Sequence, residues 1–255
     1  MKVFFLRKNI IAIILIIFLL IVLFLCVLFS KLQKNIIPVN INDNISLNNI
    51  TKSDKKIAYL TFDDGPTTSA TSKILDILKN ENVKATFFVV GKHVKENPEL
   101  VKRAYEEGHY IANHGYSHNN NLLYKNMDSF KQEILSTDIE ISKAIGIENY
   151  CSHIFRFPNG YMSNMYVHQK EKALNVLKEL GYVYVDWNSL NKDSEKKYSN
   201  YQLLNNLKQS IKNKGTLIIL MHDTTDVNKS YEILKDSIDY LKSKGYIFSN
   251  FYDFI

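Results

Sequence analysis

From about residue 56 to residue 255, short apolar segments of strand character alternate with longer segments that have helical periodicity. Parallel strands need long crossover connections, which helices usually supply, so this alternation predicts a parallel sheet covered by helices. We predict an α/β fold whose sheet is closed or nearly closed into a barrel. The predicted strands cover residues 57–62, 85–90, 110–113, 154–157, 182–186 and 217–221, with a last strand near Ile247. The predicted helices cover residues 69–80, 98–108, 127–145, 164–180, 200–213 and 229–243.

Residues 10–29 form an uninterrupted apolar run of about 20 residues, which is long enough to cross a bilayer as a helix. A cleaved signal peptide would have a shorter apolar region followed by small residues, and no such cleavage site follows this run. We therefore predict a transmembrane signal-anchor helix at residues 10–30. It lies between a cytoplasmic N-terminus at residues 1–9 and a linker at residues 31–55.

The cations that flank this helix predict its orientation. Three of them precede the helix and two follow it, namely Lys2, Arg7, Lys8, Lys31 and Lys34. The positive-inside rule then favours an N-terminus in the cytoplasm. We expect a single-pass protein of the cell membrane with residues 56–255 on the extracytoplasmic side, or a secreted form if the N-terminal segment is cleaved.

The formal net charge of +6 is concentrated near the N-terminus. These five cations, with no acidic residue, lie in residues 1–42, so the rest of the chain is nearly neutral. This distribution argues against a nucleic-acid partner. Of the two cysteines, Cys26 lies in the predicted membrane helix, which leaves Cys151 without a partner in the chain.

Five polar sequences follow predicted strands. They are T-F-D-D-G-P at 61–66, N-H-G-Y-S-H at 113–118, F-R-F-P-N-G at 155–160, V-D-W-N at 185–188 and I-L-M-H-D at 219–223. The carboxyl ends of parallel strands meet at one face of such a fold, which is where active sites of (β/α) barrels lie. We therefore expect these five sequences to converge.

Asp64, His114 and His118 form a candidate metal site. His114 and His118 are four residues apart, so one helical turn would place both imidazoles on one side. Two nitrogens and one carboxylate oxygen make an open site that suits a hydrolytic divalent metal, with zinc as the first candidate. Taken separately, Asp63 and Asp64 are also compatible with an Asp-Gly turn, the two histidines with a surface position, and His222 with an ordinary residue at a barrel rim.

In order and over about 200 residues, these five sequences resemble the five motifs of the NodB-type polysaccharide deacetylases, carbohydrate esterase family 4. The resemblance implies that residues 56–255 form a polysaccharide deacetylase catalytic domain with a deformed (β/α) barrel. It also implies a hydrolase that uses a divalent metal, Zn²⁺ with Co²⁺ or Mn²⁺ as alternatives, to remove N-acetyl groups from a glycan and release acetate.

The resemblance assigns a role to each matching residue. Asp63 resembles the general base, Arg156 the residue that orients it, His222 the general acid, and Asp186 the acid that orients and charges His222. The metal ligands it implies are Asp64, His114 and His118. The residues it implies around the substrate are Asn159, whose backbone N–H would stabilise an oxyanion, Trp187 as a groove wall, and Leu220 as the lining for the acetyl methyl group.

Two positions depart from the family pattern. Gly115 stands where Ser or Thr is usual, which removes a supporting hydroxyl but no metal ligand. Asn159 stands where an aromatic residue is common, which changes one wall of the groove. Six other titratable residues are predicted to be structural, surface, loop or capping groups: His93, His109, His153, His168, Asp193 and Asp223.

The substrate we expect is N-acetylglucosamine of peptidoglycan, because a short tether would hold the enzyme close to its own cell envelope. The expected partners are thus a cell-wall polysaccharide and the membrane, with no nucleic acid and no evident protein partner. Muramic acid residues, poly-N-acetylglucosamine, chitin and xylan remain alternative substrates. A non-catalytic, membrane-anchored glycan-binding protein is a further alternative, and a metalloprotease is disfavoured by the absence of an H-E-x-x-H sequence.

Overall fold

A computed structural model of the chain describes residues 54–224 and 229–254. The predicted cytoplasmic N-terminus, the transmembrane helix and most of the linker lie outside the described residues. Within the described ranges, no helix is long and apolar enough to span a membrane.

Eight parallel strands form a single sheet in the described part of the chain. They are β1 (Ile57–Asp63), β2 (Thr86–Val89), β3 (Tyr110–Asn113), β4 (Ile154–Phe155), β5 (Val183–Tyr184), β6 (Ser189–Leu190), β7 (Leu217–His222) and β8 (Ile247–Ser249). The strand order is β5-β4-β3-β2-β1-β7-β6, and β8 pairs with the first residues of β1. Each pairing is parallel, which confirms the predicted parallel sheet.

The sheet curls without closing. Among the described residues, β5 and β6 at the two ends of the strand order each pair with one neighbour only. The architecture is therefore a curled half-barrel with helices, which fits the predicted deformed (β/α) barrel. Of the two forms that we predicted for the sheet, closed or nearly closed, the fully closed form is not the one observed. Strands of two residues at both ends offer too few backbone groups for a continuous ladder between them.

Eight helices connect and cover the described strands. They are α1 (Thr71–Asn80), α2 (Gly91–Glu96), α3 (Pro98–Glu106), α4 (Asn120–Leu123), α5 (Met127–Ile145), α6 (Val167–Glu179), α7 (Asn200–Ser210) and α8 (Tyr231–Ser243), followed by a 3₁₀ turn at Phe251–Phe254. Local signals fix several boundaries. Asn126 caps the start of α5, Gly146 ends it with φ 73°, and Ser199 with Gln202 forms a capping box on α7.

Side chains of β1 alternate between the core on the outside of the sheet and the inside of the half-barrel. Ala58, Leu60 and Phe62 belong to the large apolar cluster that includes side chains of α1, α3 and α8. Tyr59 points the other way and packs with Phe251 in a smaller inner cluster. Since side chains alternate across a strand, Asp63 shares the inner face with Tyr59 and ends the strand at its carboxyl edge.

Candidate active site

The ends of β1 and β7 bring two of the polar sequences together. Asp63 is the last residue of β1 and lies opposite His222, the last residue of β7, in the parallel ladder. Neighbouring strands β3 and β4 end at Asn113 and Phe155, immediately before His114 and Arg156. These residues therefore lie at the carboxyl edge of the sheet, where we predicted that the polar sequences converge.

Asp64, His114 and His118 lie together as a potential metal-binding group. Asp64 Oδ1 is 3.1 Å from His118 Nε2 and 3.4 Å from His114 Nε2. The three candidate ligand atoms all lie within 4.8 Å of one another. His114 Nδ1 is 2.8 Å from the carbonyl oxygen of Arg156, so it donates its hydrogen there and leaves a lone pair on Nε2.

These residues fit a divalent cation. Asp64 Oδ1 is buried and makes no hydrogen bond within the described residues. A buried carboxylate oxygen needs a positively charged partner, and a cation shared with two imidazole nitrogens supplies one. Burial would raise the pKa of Asp64, but the contacts with His114 and His118 outweigh it and hold this pKa well below its usual range. Asp64 is thus in the ionised form that binds metals.

Arg156 holds the neighbouring carboxylate. Its guanidinium is fully buried and packs against the ring of Phe88, with 3.9 Å between Cζ and the ring centre. Nη1 donates to Asp63 Oδ1 at 2.7 Å and to Thr61 Oγ1 at 2.8 Å. Asp63 Oδ2 is therefore the oxygen that faces the metal-binding group, 3.8 Å from His114 Nε2. The predicted contact between Arg156 and Asp63 is present.

His222 is paired with Asp193, which corrects the prediction that Asp186 orients it. His222 Nδ1 lies 2.7 Å from Asp193 Oδ1, and the backbone N–H of His222 donates to Asp193 Oδ2 at 2.8 Å. Ser230 Oγ also donates to Asp193 Oδ2. Asp193, which we expected to be a loop or capping carboxylate, is 3% exposed and thus belongs to the site.

The charges around His222 favour its protonated form. Burial lowers the pKa of His222, but the hydrogen bond and charge of Asp193, together with the charges of Asp63 and Asp64, raise it to about 9. Since Nδ1 is engaged by Asp193, Nε2 is the atom that faces the site, 4.0 Å from Asp64 Oδ2.

Asp186 instead fixes the loop that follows Pro158. Its carboxylate accepts the backbone N–H groups of Tyr161 and Met162 at 2.9 and 3.1 Å. The carboxylate is thus engaged by a loop that begins two residues after Asn159, which is the physical reason that it does not serve His222.

Lys170 secures the same loop. Its ammonium group is buried and donates to three backbone carbonyls, those of Gly160 at 3.1 Å, Tyr161 at 2.7 Å and Ser163 at 2.6 Å. Burial lowers the pKa of Lys170, and the charge of Asp186 opposes that effect. Lys170 binds the carbonyls and Asp186 the N–H groups, so residues 160–163 are held by two opposite charges.

The predicted substrate residues lie beside these groups. Asn159 is exposed and has φ 64°, in the left-handed region that Asn tolerates better than most residues. The Trp187 ring packs on Gly160, where an added Cβ would come within 2.9 Å of it. Leu220 is 5% exposed and shares one face of β7 with His222. Their contacts with substrate stay predictions.

The remaining titratable residues are mostly structural, as predicted. His93 Nδ1 contacts the Asp64 carbonyl at 2.7 Å, so it supports the metal-binding group through the backbone. His109 is buried, and burial together with the charge of Lys84 lowers its pKa to about 4.

Asp223 accepts a hydrogen bond from Thr71 at the start of α1, and burial and the nearby charges of Asp64 and Asp63 raise its pKa to about 7. His153 binds the Gly181 carbonyl at 3.0 Å, and His168 is exposed.

Comparisons with known proteins find similar sequences. The profile of the polysaccharide deacetylase family matches residues 51–185. The peptidoglycan N-acetylmuramic acid deacetylase PdaA of Bacillus subtilis is 36% identical over 206 residues, which cover 78% of this chain and 71% of that protein. A peptidoglycan N-acetylglucosamine deacetylase of Bacillus cereus is 35% identical over 188 residues, 73% of this chain and 63% of that protein.

A solved structure shares the fold. The CE4 esterase of Streptococcus mutans superimposes with a TM-score of 0.72 at 29% identity, covering 80% of this chain and 90% of that structure. The family profile matches more than half of the chain, and the two relatives named above are each at least 35% identical to it. The chain therefore belongs to the polysaccharide deacetylase family, as an enzyme of the carbohydrate esterase family 4 type.

Proposed function

We propose that this protein is a metal-dependent N-deacetylase of cell-wall glycan, with N-acetylglucosamine of peptidoglycan as its substrate. One observation carries the proposal. The Asp64, His114 and His118 group lies between a carboxylate held by Arg156 and a histidine held by Asp193. A hydrolase of amide bonds needs this combination of a base, an acid and an electrophilic centre.

Asp64 Oδ1, His114 Nε2 and His118 Nε2 would hold the cation, with Zn²⁺ as the candidate that best suits this donor set. A divalent cation there supplies positive charge, which polarises a carbonyl group and makes water a stronger acid near neutral pH.

Asp63 is the base in this proposal. Arg156 occupies Oδ1, so Oδ2 is the oxygen left to take a proton from the attacking water. The same ion pair fixes the direction of the free oxygen. A base that is held in place has little to reorganise as the proton moves.

His222 is the acid. The departing sugar amine needs a proton, and His222 carries one at neutral pH because Asp193, Asp63 and Asp64 raise its pKa to about 9. Asp193 Oδ1 fixes the ring through Nδ1 and thereby presents the proton on Nε2 to the site. Acetate and a free amine on the glycan are the products.

The backbone N–H of Asn159 is the proposed donor to the oxyanion that forms on the acetyl carbonyl. Lys170 and Asp186 immobilise the loop that follows it, which gives this N–H a fixed position. Leu220 would contact the acetyl methyl group, and Trp187 would form the groove wall.

Peptidoglycan is proposed as the substrate on two grounds. The relatives reported above are named as deacetylases of its two sugars, and the apolar run at residues 10–29 would tether the domain to the membrane with its site facing the envelope. The linker of residues 31–55 would limit the reach of the domain to glycan near the membrane.

Purified peptidoglycan tests the proposal. The full-length chain is incubated with it in the presence of zinc, and the products are digested to muropeptides and identified by mass spectrometry. We expect loss of acetyl groups from N-acetylglucosamine. Loss confined to muramic acid would replace the proposed sugar, and loss only from chitin oligomers or acetylated xylan would replace the proposed glycan. An intact substrate in every case, with zinc bound, would favour a glycan-binding protein.

A further inference from the structure

The loop between the two metal-binding histidines has a strained end. His118 has φ 52°, in the left-handed region that costs a non-glycine residue free energy unless its surroundings impose it. Its imidazole must nevertheless be held at 3.1 Å from Asp64 Oδ1. Contacts elsewhere in the loop must therefore fix the backbone at this point.

Backbone pairing secures only one side of this loop. The carbonyl oxygens of Gly115 and Tyr116 accept the N–H groups of Gly91 and Lys92, each at 3.0 Å, at the start of α2. The N–H groups of Tyr116 and Ser117 point to the opposite side and find no backbone acceptor in the described residues. A side chain must satisfy these two donors.

That side chain is Glu133. A single oxygen, Oε2, accepts the N–H of Tyr116 at 2.8 Å and the N–H of Ser117 at 2.7 Å. Glu133 projects from α5, is partly buried and forms no ion pair within the described part of the chain. Its charge is thus directed at these two N–H groups, which makes both hydrogen bonds stronger than neutral ones.

Helix α5 is the rigid element behind the loop. The residue before His114, Asn113, is held by the same helix, because its Nδ2 donates to the Ile134 carbonyl and to Asp138 Oδ1. Asn113 Oδ1 in turn accepts the N–H of Gly115 at 2.9 Å. Gly115 has no side chain with which to support the loop itself, and its α carbon lies close enough that an added Cβ would be 3.5 Å from Glu133 Oε2.

We infer that Glu133 is a positioning residue for the metal site, whose carboxylate binds two loop N–H groups and thereby sets the place of His118. It touches neither the cation nor the substrate and acts through the backbone of residues 116 and 117. This inference rests on the proposed metal site. We therefore expect loss of the Glu133 carboxylate to weaken metal binding in a protein that is still folded.

Two variants and one control test the inference on the full-length chain. Glu133→Gln keeps the shape and removes the charge, while Glu133→Ala removes both hydrogen bonds. Glu140→Gln is the matched control, because Glu140 lies on the same helix and its carboxylate pairs with Lys143 instead of with the loop. The distance between Glu140 Oε1 and Lys143 Nζ is 2.9 Å. Melting temperatures establish that each variant is folded.

Zinc affinity of the metal-stripped proteins is the first measurement. We expect the dissociation constant to rise about 10- to 100-fold in Glu133→Ala, less in Glu133→Gln, and to stay unchanged in Glu140→Gln. Equal zinc affinities of folded Glu133→Ala and the wild type would overturn the inference, whatever the protein's substrate proves to be.

Hydrogen exchange at Tyr116 and Ser117, measured without metal, keeps the inference testable if the wild type binds no zinc. We expect exchange of these two amides to become about tenfold faster or more in Glu133→Ala, because each loses a bond to a charged acceptor. Unchanged exchange would contradict the positioning role, whereas faster exchange without zinc binding by the wild type would refute the proposed function alone.

Discussion

The pairing of His222 with Asp193 makes a quantitative prediction about pH. The pKa of His222 is about 9 rather than the ordinary 6.5, although burial alone would lower it. A shift of that size corresponds to about 3 kcal/mol in favour of the protonated ring. Asp193→Asn removes the hydrogen-bonded charge and keeps the shape, so we expect the pKa of His222 to fall by about two units or more.

The direction in which Asp193→Asn changes kcat at each pH follows from the role of His222 as the general acid. A general acid is active while it is protonated, so activity is present below its pKa and is lost as the pH rises through it. At pH 8 a ring with a pKa near 9 is mostly protonated, whereas a ring with a pKa of 6.5 is about 3% protonated. We therefore expect kcat of Asp193→Asn to be about 30-fold lower at pH 8 and to recover in part at pH 6.

The assay is the pH dependence of kcat for acetate release from peptidoglycan by the full-length chain. The alkaline limb of the profile should move to lower pH in Asp193→Asn. Asp186→Asn is the control, because Asp186 binds the N–H groups of Tyr161 and Met162 and does not contact His222. An alkaline limb that moves in Asp186→Asn and stays in place in Asp193→Asn would refute the assignment of Asp193.

Three further substitutions probe the other parts of the site. His118→Ala removes one of three candidate ligands, so zinc content and acetate release should be lost together; full activity in this variant would exclude the metal site. Arg156→Lys cannot reproduce the donors that reach Thr61, Asp63 and Val185, and we expect kcat to fall about 100-fold. An unchanged kcat would show that Asp63 needs no such support. Lys170→Met leaves three backbone carbonyls without their donor, which should destabilise the fold by about 3 kcal/mol and lower kcat, while zinc affinity stays the same. Denaturant unfolding checks the stability, and a wild-type midpoint would contradict the role of Lys170.

The sequence predicts the elements with strong periodicity. The apolar residues of β1 and α5 recur at strand and helix spacing, and both elements lie where that pattern predicts. Helices α2 and α4 and strand β6 were missed, because segments of two to six residues are too short to show a period. The sequence does not decide between a closed and a nearly closed sheet, because closure depends on pairing between segments that are distant along the chain.

The metal-binding group could be predicted because its three residues lie in short motifs that directly follow β1 and β3. The role of Asp193 could not be predicted. Asp193 lies in the irregular segment after β6, and its partner His222 lies at the end of β7. Which of the two carboxylates, Asp186 or Asp193, pairs with His222 depends on which one the backbone directs towards β7. Both lie in one polar stretch, and no local pattern separates them.

The sequence does carry a signal for Lys170 and Glu133, which is their position on the buried faces of two helices. Lys170 stands three residues before Ala173 and seven before Leu177, on the buried face of α6. Glu133 stands between the buried residues Phe130 and Thr137 of α5. A charged residue on an otherwise apolar helix face has a partner inside the protein, and here each partner is a loop of the active site.

The most direct test of the metal-dependent mechanism is acetate release from peptidoglycan by the full-length chain after removal of bound metal and again after zinc is restored. We expect release to stop when metal is removed and to return with one zinc per chain. Release that continues undiminished in the metal-stripped protein would contradict the metal-dependent mechanism, because Asp63 and His222 would then hydrolyse the amide without the cation that Asp64, His114 and His118 are proposed to hold.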